Sequence, residues 1–216
     1  MARGLTKESV VAGALAVLDS DGLEGLTVRA VAATLGVQAP ALYWHVRDKQ
    51  ALLDEMATEL WRRIGTALSE LPADFTWRQS MTAFANIVRT TVLSIRDGAR
   101  VFSGTYITDT SVLKSQEDGL AGMIGDGFSL ASAINAYSLI YNFTVGFCIE
   151  EQSVAQAIRD GDARFSLSAR EQRLDDGAHP LVVAAGPEIF GDQDTRFDVL
   201  VAVLVDAAGR MRQVSA

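Results

Sequence analysis

Cysteine is nearly missing from this chain: the single Cys148 can form neither an intrachain disulfide nor a thiolate metal cluster. Phe147 and Ile149 flank it, so a buried thiol is expected rather than a redox sensor. Histidine is almost as scarce, at two residues. His45 lies inside a helical motif and His179 in a loop, and no nucleophile triad, phosphate loop or metal-ligand spacing accompanies them. These absences argue against an enzyme, a metal centre or a cofactor. Hairpin signals are lacking too, which leaves a chain written throughout in helical periods. No apolar run is long enough to span a membrane, and Met1 to Leu5 lack the apolar stretch of a secretory signal, so a cytoplasmic location without membrane contact is expected.

What is present is ample core material. The chain has 216 residues, of which 49% are apolar, enough for one large or two small domains that fold unaided. The net charge of −8 is unevenly spread. In residues 1–50 the bases Arg3, Lys7, Arg29, Arg47 and Lys49 balance the acids Glu8, Asp19, Asp21, Glu24 and Asp48, so all the excess negative charge lies beyond residue 50. A nucleic acid would be repelled by the remainder and not by the first fifty residues.

Within that neutral segment, Thr27 to Val46 reads as two short helices around a tight turn. Thr27 suits an N-cap, Val31 and Leu35 share a face, and Gly36 tolerates the left-handed conformation that stops the first helix. The chain restarts at Pro40, pre-set for a first helical position, and Leu42 and Val46 repeat at four-residue spacing through the second helix. Leu42 and Val46 already fill the inward positions, so Tyr43, Trp44 and His45 cannot all be core. The pattern fits a helix-turn-helix, whose second helix lies in the major groove with its N-terminal residues at base edges. Gln38, Ala39, Pro40, Ala41, Tyr43, Trp44 and His45 are the candidate readers. Arg29, Arg47 and Lys49, near the helix ends, are candidate phosphate contacts, which supply affinity and register without sequence information. The bland alternatives are a packed helical corner with a surface aromatic and, for each base, an ordinary solvated charge.

The remaining periods predict a first helix over Lys7 to Ser20, with Val11, Ala14, Leu15 and Leu18 on one stripe and Asp21-Gly22 ending it. A long helix capped by Asp48 runs through Leu52, Leu53, Met56, Leu60 and Ile64 to near Leu71-Pro72 and joins head to body. Further helices are expected over Trp77–Ser94, Ala99–Val101, Val112–Gly125, Ser129–Ile158 and Asp194–Arg212. Residues 159–192, with their glycines, acids and two prolines, favour a long mobile connection with room for one short helix. The segments 129–158 and 194–212 are apolar around the whole helical wheel and must be covered on all sides.

Residues Leu5 to about Leu60, with Leu42-Tyr43-Trp44-His45-Val46 followed by Arg47, Lys49, Ala51, Leu52, Leu53 and Asp54, resemble the tetracycline-repressor family of ligand-controlled transcription regulators. Arg96-Asp97-Gly98-Ala99, Gly127-Phe128-Ser129-Leu130 and Phe143-Thr144 with Gly146 and Glu150 extend the similarity into the body. The resemblance implies an all-α fold: a three-helix helix-turn-helix domain at 1–48, joined by a long helix to a helical ligand-binding and dimerisation domain at 49–216. It implies a homodimer through the helices at 129–158 and 194–212, a palindromic double-stranded operator, and a small-molecule effector whose binding releases DNA. A constitutive DNA-binding dimer without an effector is the rival reading.

By the same resemblance the effector would meet Phe84, Val88, Phe102, Thr105, Tyr106, Gln116, Tyr137, Asn142, Phe143, Phe147 and Glu150, although aromatics at helical spacing equally suit a plain core. Glu150, among Phe147, Cys148 and Ile149, would be costly to bury alone and should face a wet cavity or a ligand. Phe102 stands where tetracycline-binding members carry a magnesium-holding histidine, Phe84 replaces an asparagine, Tyr106 an arginine, Ile107 a proline and Asn142 a histidine. Phenylalanine cannot ligate a hard cation, so a magnesium-free pocket for a planar or apolar compound is expected. In the head, Ala39 and Ala41 replace a base-reading glutamine and a threonine, so the operator should differ, with Gln38 a possible substitute contact.

Overall fold

The first helix, α1 (Lys7–Gly25), opens on a capping box in which the Ser9 amide donates to Thr6 Oγ1 and the Thr6 amide to Ser9 Oγ. The computed structural model describes residues 4–175 and 177–212, so Arg3 and the start of the Met1–Leu5 segment lie outside it. Val11, Ala14, Leu15 and Leu18 are buried on the expected stripe. The regular helix breaks where the Asp21-Gly22 pair predicts: Gly22 has φ 72°, and a further turn follows it. Helix α2 (Val28–Thr34) starts at Thr27, whose hydroxyl accepts from the Ala30 amide at 3.0 Å, and Gly36 at φ 66° ends the turn after it.

Helix α3 is shorter than the periodicity predicts. It covers only Ala39–Leu42, with Pro40 in second place, and residues 43–45 form turns instead of continuing to Val46. The amides of His45 and Val46 both donate to the Leu42 carbonyl, at 2.8 and 2.9 Å. The chain must leave helical geometry here to reach Asp48, which is fully extended (φ −158°, ψ 179°) and caps α4 (Lys49–Ser69) by accepting from the Ala51 amide at 2.8 Å. Leu42 and Val46 are buried against the head, and Leu52, Met56, Leu60 and Ile64 carry the same core into the body.

The body continues with α5 (Trp77–Leu93), α6 (Gly98–Phe102), a 3-10 turn at Thr110–Leu113, α7 (Lys114–Gly125) and the 30-residue α8 (Leu130–Arg159). Residues 159–192 are more ordered in form than their composition suggests. They hold a 3-10 turn and three short helices, α9 (Leu167–Arg173), α10 (Pro180–Ala184) and α11 (Gly186–Ile189), before α12 (Gln193–Met211). Two local devices build them: Ser166 caps α9 by accepting from Ala169, and Arg170 Nη1 donates to the Val182 carbonyl at 2.7 Å. Three quarters of the described residues are helical, and none forms a strand.

Helix α8 is the centre of the body, packed on α5, α6, α7 and α12. Ala133, Ala136, Ile140, Val145 and Cys148 are buried along it, and Phe197, Val201, Val205 and Ala208 along α12. Neither helix is covered all round in the single chain. Leu130 and Ile134 on α8 are exposed, as are Val199 and Val203 on α12, each at 58%. No helix of the described residues is long and apolar enough to cross a membrane.

Candidate functional site

The head presents its aromatics to solvent. Trp44 is 90% exposed and Tyr43 55%, directly after a one-turn helix whose Leu42 is sealed in the core. Burying such rings would contribute about 2–3 kcal/mol each, so their exposure beside fully buried neighbours is the unusual feature of this surface. Gln38, Pro40 and Arg29 are also exposed, whereas Ala39, Ala41 and His45 are half-buried. Arg47 projects into solvent and pairs only with its neighbour Asp48, Nε to Oδ2 at 3.1 Å. Lys49 is already engaged: its Nζ donates to the Leu23 carbonyl at 3.1 Å and ties the start of α4 to the end of α1.

That bond belongs to a head-to-body joint that sequence reasoning missed. The Leu23 amide donates to Asp97 Oδ2 at 2.9 Å, the Arg96 amide to Asp19 Oδ1 at 3.1 Å, and Arg96 Nη1 to the Ser20 carbonyl at 3.2 Å. Asp97 holds a left-handed backbone (φ 56°), uncommon outside glycine, and Gly22, whose φ of 72° disfavours any side chain, packs against the Arg96 guanidinium, a Cβ there falling 2.9 Å from Nε. Behind the joint, the buried Gln152 of α8 donates from Nε2 to the carbonyls of Val92 and Ile95 and accepts from the Ala99 amide. It thereby satisfies the open ends of α5 and α6 at once.

The structure sorts the eleven candidate ligand residues into three groups. Phe84, Val88 and Phe102 are buried, and Tyr137 meets Phe84 edge to face at 5.5 Å. Phe102 packs on Trp61 at 4.7 Å and Tyr141 at 6.0 Å, two aromatics the sequence did not single out. Desolvation pushes the Tyr137 hydroxyl up to about 12. Phe143 and Phe147 form a second cluster on Phe197, over which the Arg89 guanidinium lies at 4.8 Å. Arg89 binds Glu151 through two nitrogens (3.0 and 2.7 Å) and Asp194 at 2.7 Å, joining α5, α8 and α12.

The third group faces outward. Gln116, Asn142 and Glu150 are exposed, and so is Tyr106, at 74%, its amide held by Asp54. Glu150, expected to face a wet cavity or a ligand, is open to solvent in the single chain. Successive helical residues diverge by about 100°, so apolar neighbours in sequence say nothing about the face Glu150 occupies. Thr105 is half-buried and donates from Oγ1 to the Phe102 carbonyl.

Two cavities stand out among the described residues, and none of the eleven lines either. One, of about 540 Å³, lies at the joint among Asp19, Leu93, Ser94, Arg96, Glu151, Gln152, Ala155, Gln156 and Arg159. The other, of about 360 Å³, lies among Phe75, Arg78, Gln79, Thr82, Ala83 and Asn86. No group of three His, Cys, Asp or Glu side chains is placed to hold a metal among the described residues.

Comparison with known proteins places both halves. Residues 10–56 match the family model for bacterial regulatory proteins of the tetR family, and residues 71–208 match the tetracyclin repressor-like C-terminal domain. Over 212 residues the chain is 36% identical to the tetracycline repressor protein class A from transposon 1721 of Escherichia coli, covering 97% of this chain and 93% of that one. Among solved structures, a possible TetR family transcriptional regulator from Streptomyces coelicolor A3(2) superposes with a TM-score of 0.82 at 31% identity, covering 95% of this chain and 99% of the other. The class A TetR in complex with 5a,6-anhydrotetracycline and magnesium superposes with a TM-score of 0.71, also at 31% identity and with the same coverage.

Proposed function

The chain belongs to the tetracycline-repressor family of bacterial transcription regulators, and from that premise we propose that it is a homodimeric repressor released from a palindromic operator by a small, planar or largely apolar effector bound without magnesium. Residues 1–48 are the DNA-reading head and 49–216 the body. The observation that carries the reading is the exposure of Trp44 and Tyr43 immediately beside the buried Leu42 and Val46: the backbone is fixed and the reading side chains are free. Gln38 and the half-buried Ala39, Ala41 and His45 complete the reading edge. Arg29 and Arg47 contact phosphates, and Lys49 joins them by exchanging its bond to Leu23.

Dimerisation is supported by the uncovered apolar faces of α8 and α12, where Leu130, Ile134, Val199 and Val203 remain exposed. Pairing these helices with their copies covers them and sets two heads on a twofold axis, which matches a palindrome. Asn142 and Glu150, outward on α8, then reach an effector only across that axis.

The effector's chemistry follows from the buried set. The class A relative is solved in complex with 5a,6-anhydrotetracycline and magnesium. In this chain Phe102 packs tilted against Trp61 and offers no donor, Thr105 has its hydroxyl turned to the Phe102 carbonyl, and Glu150 points away. This donor set does not fit a hard cation, whereas Phe84, Val88, Phe102 and Tyr137 suit an apolar planar ring. The rival, a constitutive dimer without effector, is favoured by one observation: these side chains pack on one another and line neither of the two cavities.

Selection of the purified protein against random duplex DNA at moderate salt tests the reading. An enriched inverted repeat is expected. Failure to enrich any motif overturns the DNA-reading assignment, and a motif that no apolar planar compound releases, with no melting shift, favours the constitutive dimer.

A further inference from the structure

We propose that the cavity of about 540 Å³ at the head-to-body joint binds a small organic carboxylate. Its volume lies within the range of small-molecule sites, and it is walled by the ends of α1 and α5 and by the C-terminal third of α8. The polar ledger of its lining identifies the ligand's charge. Most acceptors are already used: Glu151 has both oxygens on Arg89, and Gln152 accepts from Ala99 while donating to Val92 and Ile95. Gln156 bonds Asp160 and Arg159, and Asp19, an exposed carboxylate, accepts from the Arg96 amide.

The donors are not used up. Arg96 Nε is buried without a partner, and only Nη1 of that guanidinium has a protein acceptor among the described residues, the Ser20 carbonyl. Arg159 uses Nη2 alone, on Gln156. Arg96 Nε is packed against Gly22, so the donors of the two guanidinium groups that stand open to an acceptor are Arg96 Nη2 and the remaining nitrogens of Arg159. Two cations with spare donors therefore meet a lining that also offers apolar surface from Leu93 and Ala155. A monoanion with a short apolar body satisfies both. A phosphate dianion would set a second negative charge near Glu151 and Asp19. The site is separate from the aromatic groups assigned to the effector, and its occupant meets Arg96, whose amide and Nη1 bind α1 of the head.

Calorimetric titration of the intact protein with benzoate, and with the neutral isostere benzamide, tests this. Saturable binding of one benzoate per chain at millimolar concentration is expected, with none for benzamide. Arg159→Gln, at an exposed position that makes none of the bonds to α1, and Ala155→Phe, which narrows the cavity, should each weaken benzoate at least tenfold. Absence of saturable benzoate binding, equal binding of benzamide, or unchanged affinity in both variants overturns the proposal.

Discussion

On the proposed reading, Trp44 serves recognition without serving stability. At 90% exposure it contributes little to the core, so Trp44→Ala should leave the unfolding free energy within about 0.5 kcal/mol of the parent. Loss of a base-edge or phosphate contact typically costs about 1–3 kcal/mol, so operator affinity should fall by about tenfold or more. Denaturant melts together with a DNA titration check both halves, and a variant that binds DNA normally removes Trp44 from the reading edge. Cys148 behaves in the opposite sense. Burial first, and then the nearby Glu151, push its thiol up to about 12, so it should resist thiol reagents at pH 8 until the chain is unfolded. Because the folded state holds this proton and that of Tyr137 more tightly than the unfolded chain, stability is fully present below about pH 9 and is lost as pH rises towards about 12. Alkaline denaturation monitored by circular dichroism reads that loss, and a stability flat across the window contradicts it.

At the scale of elements, Gln152 is where one side chain stands in for backbone bonds that two helices cannot make. Gln152→Leu leaves the Ala99 amide and the Val92 carbonyl short of a partner in a buried place, while the Ile95 carbonyl keeps the Gly98 amide. Each such group costs about 1–3 kcal/mol, so a loss of at least about 2 kcal/mol is expected in equilibrium unfolding, and a neutral result shows that water replaces the amide. The helices themselves were largely legible in the sequence. Thr27, Asp48 and Ser129 cap where their chemistry places them, and α5, α8 and α12 begin and end within a residue or two of the periodic reading, because caps and apolar periods act locally. What was not legible depends on distant groups. The truncation of α3 is forced by the extended backbone of Asp48, the short helices of residues 159–192 rest on contacts such as Arg170 to Val182, and no pattern marks Asp97 as left-handed. The exposure of Glu150 and Asn142 was hidden for a simpler reason: position along a helix does not fix which neighbour covers each face.

At the scale of the whole molecule, the uncovered valines of α12 are the testable residue of incompleteness. Burying two such side chains per chain contributes about 1.5 kcal/mol or more each, and a carboxylate in their place cannot be desolvated cheaply. If the proposed dimer pairs through α8 and α12, Val199→Glu with Val203→Glu should give a folded monomer by sedimentation and abolish binding to an inverted repeat, and a variant that remains dimeric moves the interface elsewhere. The head-reading pattern could be found in sequence because it is contiguous, whereas the joint of Asp19, Arg96, Asp97 and Lys49 could not, since it gathers residues from three distant segments.

Leu23 sits at the centre of that joint with its amide on Asp97 and its carbonyl on Lys49. Its amide proton can exchange with solvent only when the grip on Asp97 is released, which does not require the core to open. The exchange rate of this one hydrogen thus clocks how often the reading head detaches from the body, and it should run ahead of the amides of Leu52 or Ile140 by the difference between local and global opening.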